Sequence, residues 1–193
     1  MEILGRLIPH QDLAIQWDVC VEMIQWDGRF AHIPPMPDME ANFSSTFARL
    51  CKPVPPEVEL GVHLCYGDHD NKHFIEPADL GKAVELANLI MSNAGRPLNW
   101  VHMPVPIDRD DDEYFAPLRG LKHGPQTEVY LGLVHVNDGV AGSLRRAATA
   151  KRFISAFGIS TECGLGRART RARAIDIMKL QAQVAERDPG HAG

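Results

Sequence analysis

The side chains in this sequence that most clearly suggest metal binding are a histidine and a cysteine separated by one residue. They are His63 and Cys65, in the stretch GVHLCYGDHDNKH (61–73), which follows an apolar run. Because alternate residues of a β-strand point to the same side, both would project together from a strand end. Zinc accepts imidazole nitrogen and thiolate sulfur in tetrahedral sites. The spacing therefore predicts half of a zinc site.

Other side chains of the same kinds lie at the ends of other apolar segments. Cys163, in TECGLG, is the predicted second sulfur ligand, and His102 or His135 would supply another nitrogen. A single buried cysteine or histidine is more often a core residue than a ligand. The shared location favours a site, since each of these residues, with Asp18, ends a different apolar segment.

The remaining polar residues around these segments are interpreted as ordinary structure. Cys20 and Cys51 are expected to be packing residues, one in a strand-to-helix turn and one on a helix. The loop after Cys65 is expected to form the rim of a pocket, through Asp68, His69, Asp70 and His73. The basic run 167–173 is expected to be a solvated loop and first helical turn, with anion binding there as a lesser alternative.

The elements that would position these residues alternate between strands and helices. Apolar and β-branched segments predict strands at 13–20, 58–67, 98–105, 127–136 and 157–164. Helical periodicity predicts helices within 77–95 and 142–158 and at about 171–187. Segment 28–57 is expected to be a long connection that lies over the strand ends. This alternation predicts an α/β fold with parallel strands, in which ligands bind at the carboxyl ends of the strands.

Length and composition restrict the class of protein. The 193 residues, with 45% hydrophobic and 23% charged residues, predict one globular unit over 1–193 with a loose tail at 188–193. The net charge of −5 gives no support for nucleic-acid binding, and the apolar runs are too short to span a membrane. The N-terminal residues lack a secretory pattern, so a cytoplasmic protein with free thiols and a small-molecule substrate is expected.

Four of these segments resemble the catalytic barrel of the cobalamin-independent methionine synthases, a family in the superfamily of uroporphyrinogen decarboxylase. LAIQWDVCVE is similar to the family's I-Q-[IW]-D-E-P-A strand, VHLCYG to H-x-C-Y, LGLVHVNDG to D-I-H-S-P-N-V, and ECGLGR to D-C-G-L-K-T-R. The resemblance implies a (β/α)8 barrel whose zinc ligands include His63, Cys65 and Cys163. It also implies that Asp18 binds an amino acid substrate and that His135 lies near the reacting groups.

Two departures from the family pattern affect these expectations. Where the family has a glutamate ligand, LNWVHMP offers His102, and the Glu-Pro after the family aspartate is replaced by Val19 and Cys20. Five strands are also fewer than the eight of a closed barrel. We therefore expect part of a barrel that lacks its first strands and needs the missing half or a second copy. An open five-stranded parallel sheet is the alternative.

The function implied by the resemblance is zinc-dependent transfer of a methyl group to a thiol acceptor. The substrates would be a thiol amino acid and a folate-type methyl donor, with His135 and Asp18 as the catalytic residues. Two alternatives stay open from the residues alone. One is a metal-assisted lyase, hydrolase or demethylase on the same barrel, and the other is a non-catalytic remnant.

Overall fold

The protein is an α/β structure in which five parallel strands alternate with helices. The structure, a computed structural model, describes residues 8–67, 73–166 and 169–188. In chain order the elements are β1 (Ala14–Val19), α1 (Val21–Asp27), α2 (Met39–Cys51), β2 (Glu59–Leu64), α3 (Gly81–Asn93), β3 (Trp100–Pro104), α4 (Asp112–Phe115), β4 (Glu128–Val134), α5 (Gly139–Ala150), β5 (Gly158–Thr161) and α6 (Arg171–Arg187). Short 3-10 turns lie at His10–Asp12 and Ala116–Gly120.

The strands lie in the sheet in the same order as in the chain, β1 to β5, and every neighbouring pair is parallel. This confirms the predicted α/β class and all five predicted strands. Right-handed crossovers between strands in this order place the helices on one face of the sheet. A barrel segment and an open one-sided sheet both have this order. Among the described residues β1 and β5 are the two edges of the sheet.

The two faces of the sheet differ in polarity because successive side chains of a strand alternate. The helix-covered face carries apolar residues that are fully buried, among them Val62, Leu64 and Leu131. Each such side chain contributes about 1.5 to 3 kcal/mol by leaving water. The opposite face carries Gln16, Glu59, Trp100, Glu128 and Tyr130, which are exposed or half-buried. We call this set the open face.

Local signals explain where several helices begin and end. Helix α6 begins after Thr170, whose hydroxyl accepts a 3.2 Å hydrogen bond from the backbone N–H of Arg173, and it covers the predicted range. Helix α1 ends at Gly28, whose φ of 77° lies in the left-handed region that glycine adopts without strain. No helix in the described part of the chain is long and apolar enough to cross a bilayer.

Three expectations about connecting segments are corrected. The helix expected within 142–158 ends at Ala150, because the chain then turns so that Ile154 and Phe157 reach the core. Segment 28–57 does not simply lie over the strand ends, since its helix α2 packs against α3. Asp188, expected in the loose tail, is buried and paired with Lys151, whereas residues 189–193 lie outside the described residues.

Candidate metal centre

The ends of β2 and β5 bring His63, Cys65 and Cys163 together. Their ligand atoms all lie within 4.8 Å of one another, so the three residues form a group that could hold a metal ion. The Cys65 and Cys163 sulfurs are 3.7 Å apart, and the Cys163 sulfur is 3.6 Å from Nε2 of His63. Zinc bonds of 2.0 to 2.3 Å in a tetrahedron would separate two sulfurs by about 3.8 Å and a sulfur from a nitrogen by about 3.6 Å. Both distances from the Cys163 sulfur fit that donor set.

The sheet register explains why these residues meet. Asp18 of β1 is opposite His63 of β2, and His63 is opposite His102 of β3. At the far side of the sheet, β4 has Gly132 opposite the end of β5. A β-carbon on Gly132 would lie 2.7 Å from the α-carbon of Glu162, so only glycine permits this approach. This glycine therefore allows the chain just before Cys163 to lie against the sheet.

His102 lies behind His63 and outside the group of three. Its Nε2 is 3.0 Å from the carbonyl oxygen of Thr161, which can only accept, so Nε2 carries the hydrogen. Its Nδ1 then accepts a hydrogen bond from Nδ1 of His63. Burial, the largest effect, lowers the pKa of His102 to about 3, which keeps the ring neutral. Both nitrogens of His102 are thus engaged away from the predicted metal.

The same hydrogen bonds fix the tautomer of His63. Because its Nδ1 donates to His102, its Nε2 keeps a lone pair, and this is the atom that faces Cys163. A metal-ligating histidine is normally oriented in this way by a hydrogen bond at its other nitrogen. His102 therefore acts on the site through the orientation of His63.

The two sulfurs have opposite acidities because they share a hydrogen bond. The Cys65 thiol donates to Cys163, and this hydrogen bond lowers the pKa of Cys163 although burial raises it. The pKa of Cys65 is raised, first by its hydrogen bonds to Cys163 and Cys20 and then by burial. The backbone N–H of Gly67 also donates to the Cys65 sulfur, at 3.1 Å. The pair therefore favours a thiolate on Cys163 even without a metal.

Asp18 lies on the open face beside the group. A cavity of about 470 Å³ on this face is lined by Asp18, His63, His102 and Cys163. One oxygen of Asp18 accepts a 2.9 Å hydrogen bond from Nε2 of Gln16. The carboxylate is exposed and lies within the same cavity as the possible ligands.

His135 lies in a second and larger cavity, of about 850 Å³, which Cys163 also lines. Its Nε2 donates to the carbonyl of Val105 at 2.7 Å, and its Nδ1 is 3.7 Å from an oxygen of Glu162. Burial, the largest effect, lowers the pKa of His135, which favours the neutral ring. Cys163 thus stands between the cavity that holds Asp18 and the cavity that holds His135.

Sequence reasoning missed a charged cluster in the larger cavity. His73 contacts Glu162 through Nε2 at 2.9 Å and Glu76 through Nδ1 at 2.8 Å. Burial lowers the pKa of His73, but the two carboxylates outweigh it and raise the pKa to about 9. Glu162 directly precedes Cys163 in the chain, and this position beside a predicted ligand is the signal that could have pointed to Glu162. Of the four residues predicted at the rim, His73 lines this cavity, and Asp68, His69 and Asp70 lie outside the described residues.

The two remaining cysteines have different environments. Cys51, on α2, is buried in the core as predicted for a packing residue. Cys20, the residue before α1, is half-buried, and its side chain hydrogen-bonds to the Cys65 sulfur. It therefore borders the group of three, which the sequence did not indicate.

Comparison with known proteins gave no relatives for this chain. No protein-family model matches it, and neither a curated protein nor a solved structure does. The resemblance to the methionine synthases stays a prediction from four short motifs.

Proposed function

We propose that this protein binds zinc through His63, Cys65 and Cys163 and catalyses methionine synthase-like transfer of a methyl group to a thiol acceptor. The observation that supports it is the distance of the Cys163 sulfur from the other two ligand atoms, 3.6 Å and 3.7 Å, which suits tetrahedral zinc. Two thiolates and an imidazole are also the soft and borderline donors that zinc prefers.

Bound zinc would lower the pKa of a thiol substrate, so that the nucleophilic thiolate predominates near neutral pH. The protein residues supply orientation. Asp18, exposed in the smaller cavity, would bind the ammonium group of an amino acid acceptor. The donor would lie in the larger cavity, where Nε2 of His135 is held by Val105. Nδ1 then holds a lone pair, so it would first take up the proton released by the acceptor thiol and then pass that proton to the leaving group.

Metal content is the first test. We expect about one zinc ion per chain in the purified protein and a loss of most of it in the variants Cys65→Ser and Cys163→Ser, because each removes a ligand. The matched control is Cys51→Ser, which changes a cysteine in the core and should keep its zinc. Elemental analysis after gel filtration makes the measurement. No zinc in the wild-type protein would overturn the proposal.

Activity is the second test. The zinc-loaded protein should methylate a thiol amino acid from a folate-type donor, and Asp18→Asn should raise the KM for the thiol acceptor more than it lowers kcat, because a binding charge is removed. Product formation followed by mass spectrometry measures both. Zinc binding without any methyl transfer would refute the transferase and leave a metal site for another reaction.

A further inference from the structure

A tetrahedral ion held by His63, Cys65 and Cys163 has one position left, and the surrounding residues differ in their ability to fill it. His102 is excluded because both ring nitrogens are engaged with His63 and Thr161. Glu162 faces the other way, toward His73 and His135. Among the residues that the structure describes, this leaves β1 and the chain just after it as the source of a fourth protein ligand.

The chain just after β1 places a third sulfur beside the group. The backbone N–H of Cys65 donates to the carbonyl of Val19 at 3.1 Å, so the residue that follows Val19 lies next to Cys65. That residue is Cys20, and its side chain hydrogen-bonds to the Cys65 sulfur. Cys20 precedes α1 but its side chain makes no capping hydrogen bond to that helix. Its sulfur is directed to Cys65.

We propose that Cys20 is the fourth protein ligand of the metal, which gives a site of three cysteines and one histidine. The inference rests on the proposed zinc site and adds a ligand to it. Cys20 is not one of the residues whose ligand atoms all lie within 4.8 Å of one another, so its side chain changes χ1 rotamer when the ion binds. Three thiolates and one imidazole are a donor set that tetrahedral zinc accepts.

A third thiolate has two consequences for the site. It makes the complex more negative than two thiolates would, and it occupies the position that a substrate thiol would need. Cys20 is half-buried, whereas Cys65 is buried, so Cys20 is the more accessible of the two neighbouring sulfurs. Four protein ligands would therefore hold the metal only in the absence of substrate, and a thiol substrate would have to displace Cys20 in order to bind.

The number of sulfur atoms bound to zinc tests the inference. X-ray absorption on the zinc-loaded full chain should give three sulfurs and one nitrogen for the wild-type protein and two sulfurs for Cys20→Ser. The control variant Cys51→Ser should keep three sulfurs bound to zinc. Competition with a chromophoric chelator should show zinc affinity at least about 10-fold lower in Cys20→Ser, since loss of a direct ligand should cost no less than loss of an orienting group.

The outcomes separate this inference from the proposed function. If the wild-type protein binds zinc through only two sulfurs, Cys20 is not the fourth ligand, and the proposed zinc site of His63, Cys65 and Cys163 still stands. Wild-type protein that binds no zinc would overturn both. The wild-type sulfur count decides the question even if Cys20→Ser fails to fold, and Cys20→His, which replaces a sulfur by a nitrogen, gives a second variant with a distinct count.

Discussion

His102 controls which nitrogen of His63 faces the two thiols, although it is not one of the three grouped residues. Thr161 holds the hydrogen on Nε2 of His102, and this leaves Nδ1 of His102 as the acceptor for His63. The rings of the two histidines are also in contact, with centroids 4.6 Å apart and an angle of 28° between their planes. Orientation of His63 therefore depends on a hydrogen bond and a packing contact from one residue.

Replacement of His102 separates these two contributions. We expect His102→Phe, which keeps a stacked ring but accepts no hydrogen bond, to lower zinc affinity by about 10- to 100-fold, as is typical for loss of an orienting partner. His102→Gln should recover part of the affinity, because its amide oxygen can accept from His63 and its amide nitrogen can donate to Thr161. Chelator competition measures both. Equal affinities for the Phe variant and the wild type would show that His63 needs no orienting bond.

His73 makes stability depend on pH. Its side chain is 7% exposed and its pKa is raised to about 9, so folding favours the protonated ring. Its contribution is complete below the unfolded pKa of about 6.5 and is lost as the pH rises through 9. The shift corresponds to at most about 3 kcal/mol, and to less in practice because Glu76 is exposed and screened by water.

The variant His73→Gln tests this dependence. Its free energy of unfolding should fall furthest below that of the wild type at pH 6, and the difference should shrink between pH 7 and pH 10 as wild-type His73 loses its proton. Urea unfolding across that range makes the comparison. His123→Gln, at an exposed histidine, is the control. A difference that stays constant with pH would mean that His73 is neutral in the folded protein.

At the residue scale the sequence predicted which side chains come together better than it predicted their hydrogen bonds. His63, Cys65 and Cys163 could be grouped because each ends an apolar segment, and the fold brings such ends to one edge. The role of His102 could not be predicted, because alternation places a side chain on a face but does not say which nitrogen is engaged. The neighbourhood of Cys20 depends on the hydrogen bond from Cys65 to Val19, which no local pattern encodes.

At the scale of elements, an ion pair made by a buried arginine connects β4 to α5 and holds the loop that carries His135. Arg146 of α5 is fully buried, and its guanidinium donates to both carboxylate oxygens of Asp138, at 2.6 Å and 2.9 Å. It also donates to the carbonyls of Leu133 and Ile107. The pair therefore connects the ends of two neighbouring strands to one helix.

Removal of Asp138 should be costly because it leaves a buried charge without its partner. We expect Asp138→Ala to lower the free energy of unfolding by about 3 to 5 kcal/mol. Asp110→Ala is the matched control, since it removes the exposed 3.1 Å pair with Arg145 of the same helix and should cost about 1 kcal/mol or less. Urea unfolding measures both variants. If Asp138→Ala and Asp110→Ala lower the free energy of unfolding by similar amounts, the burial of Arg146 does not strengthen its ion pair with Asp138.

The strands were easier to predict from sequence than the connections between them. Each strand combines an apolar run with clear flanking residues, and the observed bounds fall within the predicted ones. Helix α5 ends earlier than its periodicity suggested, because Ile154 and Phe157 enter the core from a turn. Helix α2 joins the helical layer because Phe43 and Phe47 bury their rings in the core. Such tertiary packing overrides local pattern.

At the scale of the whole molecule, the open face has an acidic character that bears on its expected partner. The residues that line its cavity include the carboxylates of Asp18, Glu59 and Glu128, with no lysine or arginine among those described. Like charges placed directly opposite each other across an interface are destabilising. Contact between the open faces of two copies would bring these carboxylates together. A covering segment that brings lysine or arginine side chains would suit this face better than a second copy.

Self-association tests that argument. We expect the protein to sediment as a monomer at pH 7 and low salt, and the double variant Glu59→Gln/Glu128→Gln to self-associate more strongly, because Trp100 and Tyr130 are then left on a face with fewer charges. The control Glu85→Gln/Glu113→Gln makes the same change in net charge at exposed helical positions and should stay monomeric. A wild-type dimer in which Trp100 is shielded from a fluorescence quencher would show that the carboxylates do not prevent pairing. In that case a second copy would be the partner of the open face.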